Sequence, residues 1–127
     1  MKKKILAIDC SKAMRFLLQT VLGNDFQVIT APDGYSAIYW LAKKDYPDMI
    51  ISDAQLSDME NWELIEQLST SGLYKNIPLI VLSSLGKEET EKKCEELGVT
   101  TYFTKPFNPI DLLETVKKVS RGELETI

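Results

Sequence analysis

The chain has 127 residues and no histidine. That absence removes histidine general bases, Ser-His triads and imidazole metal ligands together. It also means that the chain cannot donate a phosphoryl group from a phosphohistidine, although it can receive one. Cysteine is scarce. Cys10 and Cys94 lie far apart, show no metal-ligand spacing, and read as reduced thiols of a cytosolic protein. No apolar run approaches the ~20 residues that cross a bilayer. The net charge is −4 and the only basic cluster is Lys2-Lys3-Lys4, so direct binding to nucleic acid is not expected. The start imitates a secretory leader, with three lysines, Ile5-Leu6-Ala7-Ile8 and then a cysteine. The apolar stretch is too short, however, and Asp9 stands where a small residue is needed. A cytoplasmic protein without membrane association is expected. Repeats, low-complexity tracts and composition breaks are also missing. The chain therefore reads as one domain over residues 1–121, with 122–127 as a fraying polar tail or the start of a linker.

What is present is a regular alternation of short apolar runs and amphipathic stretches. Strands are expected over about residues 4–9, 26–30, 48–53, 77–82 and 99–103. Between them, helical spacing is carried by Met14, Leu17, Leu18, Val21 and Leu22, then by Ala37, Ile38 and Leu41, then by Leu64, Ile65 and Leu68. Gly23-Asn24, Ser71-Gly72 and Gly98 are stop signals, and Asp33 is a candidate cap for the second helix. The fourth helix, residues 87–97, is dense in Lys and Glu. Only Cys94 and Leu97 offer clear apolar anchors, so it is expected to be held loosely. Asn108-Pro109-Ile110-Asp111 opens the fifth helix with a capping Asn, a first-turn Pro and an acid three residues on. Leu112, Val116 and Val119 form its inner stripe. Five βα units imply a flavodoxin-like (βα)5 three-layer sandwich, and right-handed crossovers leave few arrangements of it. Strand order 2-1-3-4-5 puts the switch point between strands 1 and 3, with Asp9 beside Asp53.

The chemistry sits at strand ends. Asp9 closes Ile5-Leu6-Ala7-Ile8, Asp53 closes Met49-Ile50-Ile51-Ser52, Ser83 follows Leu79-Ile80-Val81-Leu82, and Lys105 comes just before Pro106. Open α/β sheets build their sites at this edge. An acid pair, a hydroxyl and an ammonium converging there suit the handling of a phosphoryl group. Trp40, Trp62, Tyr35, Tyr39 and Tyr46 read as scattered exposed aromatics, which by themselves mark no site.

The four segments, in order and at this spacing, resemble the receiver domain of bacterial two-component response regulators, over about residues 4–120. Ile5–Ser11 resembles the family's first strand and acidic pocket. Met49–Asp53 resembles the strand ending in the phosphoacceptor. Pro78–Ser84 resembles the strand ending in the switch hydroxyl and a small residue, and Tyr102–Phe107 the switch aromatic and the Lys-Pro-Phe signature. The resemblance implies that Asp53 is the phosphoacceptor, that Lys105 binds a phosphoryl oxygen, and that Ser83 and Tyr102 form a conformational switch. Ser84 would tune hydrolysis. It also implies Mg2+, held by Asp53, the backbone carbonyl of Gln55 and Asp9, and a Lys105–Pro106 bond that can be cis. The implied partners are a sensor histidine kinase or phosphotransfer protein and a downstream target or output domain, engaged through the helix 4–strand 5–helix 5 face. Such a protein is a phosphoacceptor and not a turnover enzyme.

Three positions depart from the family pattern. Cys10 stands where a second acid usually ligates Mg2+, and a neutral thiol there predicts weak Mg2+ binding. Ser57 and Asn61 replace a usual Pro and Gly, and Asn tolerates the left-handed backbone that Gly supplies. The competing reading is a pseudo-receiver, a phosphorylation-independent interaction module. A haloacid-dehalogenase-type phosphatase would need an acid at Ser11. A flavodoxin would need a glycine- and hydroxyl-rich phosphate loop in place of Asp9-Cys10-Ser11-Lys12.

Overall fold

In a computed structural model, which describes residues 1–123, the elements run β1 (Lys3–Ile8), α1 (Lys12–Leu22), β2 (Phe26–Ala31), α2 (Gly34–Leu41), β3 (Met49–Asp53), α3 (Glu63–Thr70), β4 (Leu79–Ser83), α4 (Lys87–Leu97), β5 (Thr101–Thr104) and α5 (Pro109–Ser120). The tail expected after Arg121-Gly122 falls largely on residues 124–127, outside the described residues. The five strands are parallel in the order β2-β1-β3-β4-β5, as the patterning predicts. Strand ends shift by one or two residues from those read in the sequence. β4 starts at Leu79 and not at 77, and β5 starts at Thr101 and not at 99.

A parallel sheet covered on both faces needs strands that are apolar on both sides. Alternate residues of β1 divide between two cores. Ile5 and Ala7 pack with Leu18, Leu22, Leu112, Val116 and Val119 of α1 and α5. Leu6 and Ile8 pack with Ala37, Leu41, Leu64 and Leu68 of α2 and α3. A third cluster joins Val81 to Ile65, Cys94, Val99, Ala54 and Trp62 under α4.

Helix starts follow the local chemistry. The Ser11 hydroxyl accepts from Met14 N–H, the Asp33 carboxylate from Ser36 N–H, and the Asn108 side chain from Ile110 N–H, with Pro109 opening α5. Gly98 ends α4 in the left-handed region at φ 74°.

Two expectations are corrected in the segment before α3. The left-handed residue is Trp62, at φ 70°, and not Asn61. Nor is Trp62 an exposed aromatic, since it is only 5% exposed and packs in the third cluster. A bulky residue in that conformation costs of order 1–3 kcal/mol. The buried indole and the bond from Trp62 N–H to Ala54 C=O at 2.8 Å oppose that cost.

Candidate phosphoacceptor site

The register puts the chemistry at one edge. Ile8 pairs with Ser52, so Asp9 and Asp53 leave adjacent strands side by side. Ser83 pairs with Thr104, which brings Lys105 to the same edge. The Lys105 Nζ donates to Asp9 Oδ2 at 2.7 Å and to Asp53 Oδ2 at 2.8 Å. Asp9 is fully buried and Asp53 is 4% exposed. Their other oxygens are also held. Ser11 N–H donates to Asp9 Oδ1 and Gln55 N–H to Asp53 Oδ1, both at 2.9 Å.

One ammonium therefore serves two buried carboxylates. Burial pushes the Asp53 carboxyl above its ordinary range. Lys105 and the Gln55 N–H pull it back, and the Asp9 charge adds to the rise. Burial alone would lower Lys105, but the bonds to Asp53 and Asp9 outweigh it and hold the ammonium firmly charged.

Asp9, Asp53 and Lys105 meet as expected, whereas Ser83 is only partly as expected. Its side chain is fully buried at the end of β4. Its hydroxyl oxygen accepts from Thr90 Oγ1 at 2.8 Å and from Leu85 N–H at 3.1 Å, so it is tied to the start of α4 and not to the carboxylates. Its backbone does support the site, because Lys105 N–H donates to Ser83 C=O at 2.7 Å. Ser84 is exposed just beyond it. Tyr102 is half-buried against the third cluster. Burial raises its phenol pKa, with the Glu91 charge and Cys94 of α4 adding to the rise. The Lys105–Pro106 peptide is cis.

The acidic pocket suits a hard cation only in part. Two oxygen carboxylates fit Mg2+, which takes one or two carboxylates and completes its shell with water or phosphate. Cys10 is exposed, and among the described residues no three Cys, Asp or Glu side chains gather as a metal cluster. The position that would supply a third charged ligand thus supplies none.

The sequence pattern did not single out three supporting residues. Arg15 Nη1 donates to Asp9 C=O at 2.8 Å and steadies the β1–α1 loop. Asp58, in the loop that follows Asp53, accepts from Gly34 N–H and Tyr35 N–H at 2.9 Å each. Burial pulls the Asp58 carboxyl up, yet these N–H groups at the head of α2 hold it below its ordinary range. Thr90 is the third. Only its helical spacing with Cys94 and Leu97 hinted that it faces inward. An open depression of about 610 Å³ lies at the other end of the sheet, lined by Lys2, Lys3, Asp25, Lys117 and Arg121 among others, and it contains none of these groups.

Comparison with known proteins agrees with this geometry. The family model described as "Response regulator receiver domain" matches residues 5–117. The phosphate regulon transcriptional regulatory protein PhoB of Escherichia coli is 32% identical over 95% of this chain and 53% of its own length. Sporulation initiation phosphotransferase F of Bacillus subtilis is 29% identical over 93% of this chain and 94% of its own. The chemotaxis response regulator CheY4 of Vibrio cholerae superposes with a TM-score of 0.82 at 32% identity, covering 94% of this chain and 99% of that one. The chain spans about half the length of several curated relatives, including PhoB and a probable transcriptional regulator, ycf27, of Galdieria sulphuraria. With two buried carboxylates on one lysine at the switch point of a 2-1-3-4-5 sheet, and with this match along nearly its whole length, the chain belongs to the receiver-domain family of two-component response regulators.

Proposed function

We propose that this domain accepts a phosphoryl group on Asp53 from the phosphohistidine of a partner kinase or phosphotransfer protein. An Asp53 oxygen attacks phosphorus, a P–O bond forms as the P–N bond breaks, and the electron pair leaves on the imidazole nitrogen. The product is an aspartyl phosphate. The observation that carries this reading is the Lys105 ammonium within 2.8 Å of both Asp9 and Asp53, two buried carboxylates. Lys105 neutralises the resting carboxylates and can pass to a phosphoryl oxygen without leaving its place. A compact ammonium on a flexible stem suits that exchange.

Mg2+ would be held by Asp53, the Gln55 carbonyl and Asp9, and when bound it offsets the repulsion between a carboxylate and an anionic phosphoryl group. The cost of lacking a second acid at Cys10 falls on that step. Ser83 would donate to the phosphoryl group once formed, and Tyr102 would follow it inward. The α4–β5–α5 face would then carry the signal to a downstream target or output domain. The domain acts as a cytoplasmic phosphoacceptor and not as a turnover enzyme.

Intact-mass measurement after acetyl phosphate and Mg2+ tests this. One phosphoryl group is expected on the wild type and none on Asp53→Asn. An unmodified wild type, or a modified Asp53→Asn, would overturn the assignment. The exposed Cys10 supports a second reading, a pseudo-receiver that binds partners without phosphorylation. No modification at Asp53, together with no beryllofluoride-induced change at Tyr102, would leave that reading standing.

A further inference from the structure

The fourth helix is the anomaly of the fold. It has no side-chain N-cap, nine of its eleven positions are not buried, and its two buried side chains are Thr90 and Cys94. A fully buried threonine is an odd anchor for a helix so short of apolar contacts, unless its hydroxyl has a task. That hydroxyl lies 2.8 Å from Ser83 Oγ and 3.3 Å from Leu85 C=O, while Leu85 N–H donates to Ser83 Oγ at 3.1 Å. With Thr90 Oγ1 donating to Ser83 Oγ, the pair and the Leu85 peptide close a small buried network.

We propose that Thr90 is a positioning residue. It latches the Ser83 hydroxyl onto α4, away from Asp53, and so ties the state of the site to the seating of that helix. The proposal rests on the phosphoacceptor reading above and adds to it a named restraint. Ser83 cannot turn toward a group on Asp53 without giving up Thr90. When it does, α4 loses one of its two buried anchors. The remaining anchor, Cys94, packs in the same cluster as Tyr102. Release at Thr90 and repacking at Tyr102 therefore act on one helix and one small cluster.

Three variants test this in the full chain: Thr90→Val, which keeps the shape and removes the hydroxyl, Thr90→Ser, which keeps the hydroxyl, and Ser83→Ala. Beryllofluoride with Mg2+ is the phosphoryl probe. Removing a restraint worth one ordinary hydrogen bond should tighten its binding to Thr90→Val about three- to tenfold, while Thr90→Ser stays near wild type. Amide exchange without any probe is the second readout. Residues 87–94 should exchange faster in both Thr90→Val and Ser83→Ala, and the double variant should add nothing to either. Unchanged exchange in both single variants, additive effects in the double variant, or equal changes in Thr90→Ser and Thr90→Val would overturn the latch. The exchange result stands without phosphoryl chemistry. A wild type that binds no beryllofluoride would sink the phosphoacceptor reading and leave the latch to be judged by exchange alone.

Discussion

Helices α4 and α5 flank the same edge of the sheet and are held in opposite ways. Helix α5 has a side-chain cap, a proline in its first turn, an acid near its start and two lysines near its end, and it buries Leu112, Val116 and Val119. Every local device agrees with the tertiary contacts. Helix α4 has none of these except two early acids, Glu88 and Glu89; its buried side chains are Thr90 and Cys94, with Leu97 half-buried against the same cluster as Cys94. Apolar burial is non-directional and hard to undo in one step, whereas a hydrogen bond can be exchanged for another. A domain that must stay folded while one face changes would place its apolar anchors on the rigid side and its exchangeable ones on the moving side. The charged trio belongs to the rigid side. Lys105 pins β1 and β3 to the loop that leads into α5.

The sharpest break in this comparison is Lys105→Met. It leaves two buried carboxylates without their cation and should cost about 3–5 kcal/mol at neutral pH in urea unfolding. Part of that loss should be recovered on acidification, as the uncompensated acids take up protons. A loss below 1 kcal/mol would show that the trio does not hold the rigid half. Next in size, Leu112→Ala in α5 should cost about 2–5 kcal/mol. Its counterpart Cys94→Ala in α4 should cost only about 1 kcal/mol, since little more than a thiol leaves the core. Equal costs would erase the difference between the helices.

Cys10→Asp should bind Mg2+ about tenfold more tightly by restoring a hard, charged oxygen ligand. Equal affinities in a fluorescence or calorimetric titration would show that Cys10 is not what limits the metal.

The smallest effect is a matter of pH. Because the Asp53 pKa is raised on folding, the native state holds that proton more firmly than the unfolded chain does. Stability should therefore fall as pH climbs from the ordinary value of 3.8 through the raised native value, and the penalty should persist above it. Asp53→Asn should lack that slope and melt higher than wild type at pH 7. A lower melting temperature would mean that Lys105 more than repays the burial of Asp53.

Much of this molecule was legible in its sequence because its strongest signals are local. Period and strand-end position marked all five strands, and Asp33, Gly98 and Asn108 cap or end helices where their side chains or backbone freedom require. The convergence of Asp9, Asp53 and Lys105 followed from topology, since right-handed parallel units admit so few strand orders. The misreadings occurred where distant contacts overrule local preference. Asn61 is the better left-handed residue by propensity, yet Trp62 adopts that backbone because a buried site awaits its ring. Thr90 sits in a run of Lys and Glu that reads as solvated, and only the folded chain shows that Ser83 lies across from it.

By itself, then, the amino-acid order determined five parallel βα units, the caps of α2 and α5 and the three charged groups at one edge, all consequences of periodicity, local chemistry and chain connectivity. Tertiary structure alone decided which hydroxyl Ser83 meets, which residue bears the strained backbone, and that Asp58 reaches back to α2. Those outcomes depend on atoms far apart in the chain, and their energies exist only once packing has excluded water from between them.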